Sequence, residues 1–102
     1  MKEKFYYVYI MASISRVLYV GYTDCLIKRG LQHKKGFYDG FTKKYKVNKL
    51  VYFESYNSEF EALKRERQLK GWKRCKKIEL IEKHNKNWED LYSIIISIYK
   101  VK

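Results

Sequence analysis

A chain of 102 residues, 46% apolar and 33% charged, with no proline and five scattered glycines, is expected to form one domain over 1–102, a folded globule far sooner than a disordered chain, and is too short for a catalytic domain plus a separate recognition domain. Twenty-three Lys and Arg against eleven Asp and Glu leave a formal charge of +12, which a polyanionic partner, nucleic acid first, best accounts for. The longest apolar run, Ile94-Ile95-Ile96, falls far short of the ~20 residues that span a bilayer, the opening "MKEKFYYVYIM" has no apolar leader region, and Cys25 and Cys75 lack metal-site spacing, so a cytoplasmic protein with reduced thiols and no membrane partner is expected.

Residues 5–12 and 17–22, rich in Tyr, Val and Ile, read as the two strands of a hairpin around "ASISR". Symmetry about Ile14 sets Tyr9 opposite Tyr19 and Tyr7 opposite Gly21. With period two these four residues share one face, while Val8, Ile10, Leu18 and Val20 fill the other. Thr23 or Asp24 is placed to cap a helix over roughly 25–35, in which Ile27 and Leu31 form the apolar stripe and Arg29 and His33 sit one turn apart. Gly30 inside that helix costs about 1 kcal/mol against Ala.

"KGFYDGFTKKYK" reads as a polar loop leading to a third strand near 49–54. Ser58 and Glu61 then frame a capping box, opening a helix that ends around Gly71. A basic helix follows over about 73–84, and Trp72 before it reads as a staple between the two helices, with stacking on a base as the alternative. Asn87 is placed to cap a last helix, about 88–99, where Leu91, Ile94, Ile95 and Ile98 recur at helical spacing and pack on the core. The class is α/β (α+β), a mostly antiparallel three-stranded sheet flanked by helices.

Glu66 is the informative carboxylate. Ala62 and Leu63 precede it by one turn and Leu69 follows, so it points along the apolar stripe of its helix, where lost hydration must be offset by a cation. The plainer reading is a Glu–Arg pair at the rim of the core, and the sharper one is a metal ligand. A phosphodiester cleaver needs a hard cation on a carboxylate, a guanidinium for the phosphate and a base for water. Glu66, Arg29 and one of Tyr9, Tyr19 or His33 supply one of each. Tyr titrates near ~10 and His near ~6.5, so a tyrosine base needs a cation beside it, whereas His33 does not. Simple strand packing is the plainer reading for the two tyrosines. Eight basic residues, Lys64, Arg65, Arg67, Lys70, Lys73, Arg74, Lys76 and Lys77, surround the single acid Glu66 in "KRERQLKGWKRCKK". Such a run is most often a solvated face, but at this net charge it is also a candidate phosphate-backbone surface.

With Tyr7-Val8-Tyr9 and Tyr19-Val20-Gly21 as its two tripeptides, the chain resembles the GIY-YIG nuclease superfamily over about residues 5–91, and within it the small UPF0213-type bacterial proteins. The stretches "YVYI", "LYVGYT", "GFTKKY", "LVYFE" and "NKNWEDL" carry that likeness, and Tyr7 replaces the first motif glycine. The resemblance implies a Mg²⁺- or Mn²⁺-dependent endonuclease acting on DNA in preference to RNA, in repair or recombination, with a protein partner as one route to its target. The alternative is a non-catalytic DNA- or RNA-binding module on the same fold. It also implies that Tyr9 and Tyr19 position or activate water, that Arg29 holds the scissile phosphate, that His33 occupies a position that is His or Tyr in relatives, and that Glu66 binds the metal. Gly21 belongs to the second motif, and Asn85 corresponds, at a different spacing, to a late asparagine of several branches.

Overall fold

A computed structural model of the protein describes residues 4–101. Its elements are β1 (Tyr6–Ala12), β2 (Leu18–Thr23), α1 (Leu26–Lys34), α2 (Gly40–Lys44), β3 (Lys49–Tyr56), α3 (Glu59–Lys70), α4 (Arg74–His84) and α5 (Tyr92–Val101). The sheet has the order β2-β1-β3 and is antiparallel throughout. The expected class and element order hold, with one helix, α2, added in the stretch read as a loop. Asp39 accounts for that helix, because its side chain accepts the Phe41 N–H at 2.7 Å and caps it.

The hairpin register differs from the expected one by two residues: Tyr9 pairs with Gly21 and Tyr7 with Thr23. Its three-residue loop, Ile14 to Arg16, is centred on Ser15 and not on Ile14, one residue further along the chain. Arg16 takes a left-handed φ of 67°, its N–H donates to Ser13 O at 2.9 Å, and Ser13 Oγ accepts the Val17 N–H at 2.9 Å. A type I turn closed by a left-handed residue is a common three-residue hairpin. A slip of two preserves parity, so every side chain keeps its expected face.

Those faces build two cores. Val8, Ile10, Ala12 and Val20 pack with Val51, Ala62, Leu69, Ile81 and Trp88, beneath α3 and α4. Tyr9 and Met11 pack with Leu26, Val47 and Leu50, with Tyr92 and Ile95 of α5 against them. The outer edge of β3 is sealed by the 85–91 segment. Leu91 N donates to Leu50 O at 2.8 Å, Leu50 N to Asp90 Oδ1 at 3.1 Å, and Asn85 Nδ2 to Val51 O at 3.0 Å. Capping this edge removes a template for pairing with another chain.

Of three expected caps, two come out differently. Cys25, without a side-chain cap bond, precedes α1, while Thr23 Oγ1 accepts from Cys25 N at 3.0 Å in a local turn. Ser58 does accept from Glu61 N at 3.3 Å. At the last helix Trp88 has a left-handed φ of 55°, which bars the helix from starting at 88, and Asp90 rather than Asn87 accepts the Tyr92 N–H. The helix begins four residues later than expected, and Ile94 and Ile98 face outward while Ile95 packs. Leu63, expected on the apolar stripe of α3, is exposed as well.

Trp72 packs on the first core between α3 and α4, with Arg65 and Lys76 over its ring at 5.1 and 4.2 Å. The Glu–Arg pair foreseen at the rim of the core exists with other partners. Arg65 Nε and Nη2 each donate to a Glu54 carboxylate oxygen at 2.9 Å, and the Tyr52 and Tyr56 hydroxyls donate to the same group at 2.5 and 2.6 Å.

Gly30 has a packing reason. A Cβ there would lie 2.5 Å from the Tyr92 ring, whose hydroxyl donates to Ile27 O at 3.1 Å. Helix propensity alone would make Gly30→Ala stabilising by about 1 kcal/mol, but displacing a packed ring costs about 1–3 kcal/mol. We expect a net loss of stability in urea titrations, and a gain instead when Gly30→Ala is made in a Tyr92→Ala background.

Candidate functional site

The site forms where β1, the edge strand β2 and α1 meet. Gly21 is directly opposite Tyr9, and a Cβ on it would come within 2.4 Å of Tyr9 Oη. The missing side chain therefore lets the Tyr9 ring lie across β2 toward α1. There the phenol oxygen is 3.0 Å from His33 Nε2 and accepts from Arg29 Nη1 at 3.5 Å. Arg29 and His33, one turn apart on α1 as expected, thus converge on one oxygen atom.

Arg29 is held on two further sides. Its Nη1 donates to Tyr22 O at 3.0 Å and its Nε to Gln32 Oε1 at 3.2 Å, while the guanidinium stacks 4.0 Å from the Tyr38 ring centre. Its Nη2 makes no hydrogen bond among the described residues, leaving two N–H donors of a planar fork for a ligand. Tyr19 flanks the group, its ring centre 6.4 Å from that of Tyr9 and 5.3 Å from that of His33.

Burial first, and then the neighbouring Tyr38 phenol, pushes the Tyr19 phenol above its ordinary value. Burial likewise pushes Tyr9 up, against the pull of the Arg29 guanidinium. Burial and then the Arg29 charge push His33 down to about 4. At neutral pH the site therefore holds two phenols and a neutral imidazole. Among the described residues Nε2 is the only acceptor bonded to the Tyr9 hydroxyl, so the phenol donates and the ring proton belongs on Nδ1. That Nδ1 is buried without a hydrogen-bond partner, a defect worth about 1–3 kcal/mol.

Glu66 stands on α3, which crosses β1 and β2, its side chain 19% exposed and paired with Lys70 one turn on at 2.9 Å. No hydrogen bond joins it to Tyr9, Arg29 or His33, although its charge makes a minor contribution to the upward push on Tyr9. Asn85 lies elsewhere: its amide donates to Val51 O and Glu89 O and accepts from Glu89 N, which spends it on anchoring the 85–89 turn to β3. Of the basic run, Arg65 is taken up by Glu54, Lys70 by Glu66, Arg74 donates to Arg16 O at 2.6 Å, and Lys76 covers Trp72. Lys64, Arg67, Lys73 and Lys77 form no ion pair among the described residues.

Tyr38 was missed by the sequence reading. It touches Arg29, His33 at 4.9 Å and Tyr19 at 6.3 Å between ring centres. It is one of eleven tyrosines, in a stretch without strand or helix periodicity, and nothing in its spacing marks it.

The family model of the GIY-YIG catalytic domain matches residues 5–79. A UPF0213 protein of Pediococcus pentosaceus is 35% identical over 79 residues, covering 78% of this chain and 83% of its own. One from Staphylococcus saprophyticus is 38% identical over 76 residues, covering 74% and 93%. The solution NMR structure of a UPF0213 protein from Bacillus halodurans superposes with a TM-score of 0.55 at 28% identity, over 84% of this chain and 92% of that one.

The imidazole gives a pH signature. Its folded value of about 4 lies below the ~6.5 of an unfolded His, so between those values the unfolded chain binds a proton that the folded chain refuses. Stability from this group is complete above pH ~6.5 and is lost as pH falls toward ~4, by at most about 3 kcal/mol. Urea titrations at stepped pH should show that decline in the parent protein and a flatter one in His33→Gln. Equal slopes would mean that the imidazole is not held neutral.

Proposed function

The chain belongs to the GIY-YIG family, and from that membership we propose that it is, as a single domain, a divalent-metal-dependent endonuclease that hydrolyses phosphodiester bonds in DNA. The observation that carries this reading is the Tyr9 hydroxyl held between the Arg29 guanidinium and His33 Nε2. A phenol placed between a cation and a neutral imidazole is arranged to lose its proton on demand.

Glu66 is the residue that would hold the ion. One half-buried carboxylate suits a magnesium- or manganese-class cation, which keeps several waters and takes the rest of its coordination from phosphate oxygen. Among the described residues no three His, Cys, Asp or Glu side chains converge on a point, so the protein's share would be that one carboxylate. When bound, the ion supplies a Lewis acid for the phosphoryl group.

The side chains divide the remaining work. Arg29 presents its Nη2 fork to a non-bridging phosphate oxygen, offsetting the charge that grows as the phosphorus gains a fifth oxygen. Its other N–H groups stay on Tyr22 O and Gln32, which keep the fork from turning. Tyr9 Oη takes a proton from the attacking water as its own proton passes to His33 Nε2. The water oxygen bonds to phosphorus and the bond to the leaving ribose oxygen breaks, that oxygen keeping the electron pair and taking a proton from solvent while His33 returns its own to solvent. His33 fits this relay because it starts neutral, and Arg29 offsets the partial negative charge on the phenol oxygen during the exchange.

The test is cleavage of plasmid, single-stranded and branched DNA by purified protein with Mg²⁺, Mn²⁺ or EDTA. Glu66→Gln and Arg29→Ala should each lower metal-dependent cleavage by about 100-fold or more, while Glu66→Gln leaves DNA affinity in EDTA within about twofold, because a metal ligand and not a phosphate contact is lost. Tight binding by the parent protein with no cut in any substrate would leave a non-catalytic binding module. Unfolding of Glu66→Gln would reduce Glu66 to an ion-pair partner of Lys70.

A further inference from the structure

A surface beside the catalytic cluster is untouched by that mechanism. The turn before α2 and α2 itself, residues 37–45, hold Phe37, Tyr38, Phe41 and Tyr45 exposed, Phe37 at 78%. Soluble proteins rarely leave such a concentration of large rings in water unless they bind something with them. Phe41 and Tyr45 lie with ring centres 4.9 Å apart, and Phe41 reaches Tyr19 at 6.5 Å. The patch is thus continuous with the site.

Its charge is one-sided. Lys35, Lys43, Lys44 and Lys46 are exposed in the same stretch. Lys44 Nζ sits 5.4 Å from the Tyr45 ring centre, and Lys43 packs against the Gly36 turn, where an added Cβ would be 3.3 Å from its Cγ. The one acid between them, Asp39, is committed to capping α2. Rings alternating with cations that form no ion pair among the described residues match a strand whose bases and phosphates alternate. A base inside a duplex hides its faces, so only an unpaired base can lie on such rings.

We propose that residues 37–45 are a stacking surface for unpaired nucleobases, with Phe37 and the Phe41–Tyr45 pair as platforms and the lysines on the phosphates between them. This deepens the reading above and rests on it: the nucleic acid that reaches Arg29 has a single-stranded segment next to the scissile bond.

The experiment is fluorescence anisotropy in EDTA with a labelled oligothymidylate and with a duplex of equal length. Removing a stacked ring costs about 5- to 150-fold in affinity. Phe37→Ala combined with Tyr45→Ala should therefore weaken the single strand about 10-fold or more, leave the duplex within about twofold, and leave the slope against salt unchanged because no phosphate contact is removed. Phe37→Trp should keep single-strand affinity. Phe37→Ala alone, at a position that supports no packing, guards against misfolding of the pair and should show the same selectivity at smaller size. Equal losses on both DNAs, or none, overturn the proposal. So does a patch variant that changes only self-association in the ultracentrifuge or binding to anionic vesicles. A parent protein that cuts nothing but shows the selective loss would fail as a nuclease while the stacking surface stands, and cleavage without the selective loss would mean the reverse.

Discussion

The arrangement of the site depends on an atom that is absent. Without a Cβ at Gly21, the Tyr9 ring crosses the edge strand and sets its hydroxyl between two residues of α1. Any side chain at 21 would meet the phenol at 2.4 Å, so the ring would have to move into the second core, against Leu26 and Leu50. Cores at crystalline density do not accept such a shift cheaply. The tripeptide pattern of the sequence is in this light a packing constraint before it is a chemical one: the tyrosine needs the glycine opposite it. The same logic recurs at Gly30, where the Tyr92 ring occupies the space a Cβ would fill.

What gathers around that phenol is costly. His33 is 2% exposed with a bare Nδ1, Tyr9 is 1% exposed, and a guanidinium lies beside both. Each feature alone would count against stability: an unpartnered buried polar atom, a desolvated phenol and a cation next to an imidazole. Rings recover part of the loss. Tyr38 lies on the guanidinium and edge-on to His33, and Tyr19 closes the other side. A folded chain that carries a defect of this kind where three titratable groups meet is paying in stability for something other than packing, which is the pattern of a functional site.

Much of this could be read from the residues, and the omissions share a cause. Strand faces were legible because parity survives a slip, whereas the register was not, since it depended on Arg16 adopting a left-handed φ that no residue type announces. Arg29 and His33 were legible as a pair because helical spacing is local. Glu54 and Arg65, eleven residues apart on β3 and α3, were not, since their meeting needs the tertiary packing of those elements. Asp39 and Asp90, which begin α2 and α5, were passed over in favour of a loop and of Asn87, because short polar side chains cap helices from many positions and the winner is chosen by neighbours such as Leu50 N. Asn85 shows the converse, a residue singled out for chemistry whose amide is consumed by backbone.

The charge balance bears on how the molecule meets a polyanion. With 23 cationic side chains and 11 acids, at least twelve cations have no carboxylate of their own to pair with, and the structure places some of them on rings instead. Lys76 lies over Trp72 at 4.2 Å, Arg29 over Tyr38 at 4.0 Å and Lys44 over Tyr45 at 5.4 Å, none of them in an ion pair among the described residues. An ion pair would order these side chains by cancelling their charge. A ring orders them and leaves the charge in place. The aromatic share of 18% therefore does two things that a larger number of acids could not do together: it fixes the cations against self-repulsion and keeps them available to phosphate. Arg29 is the sharpest instance, since the ring that immobilises its plane is the same ring that leaves its Nη2 fork open.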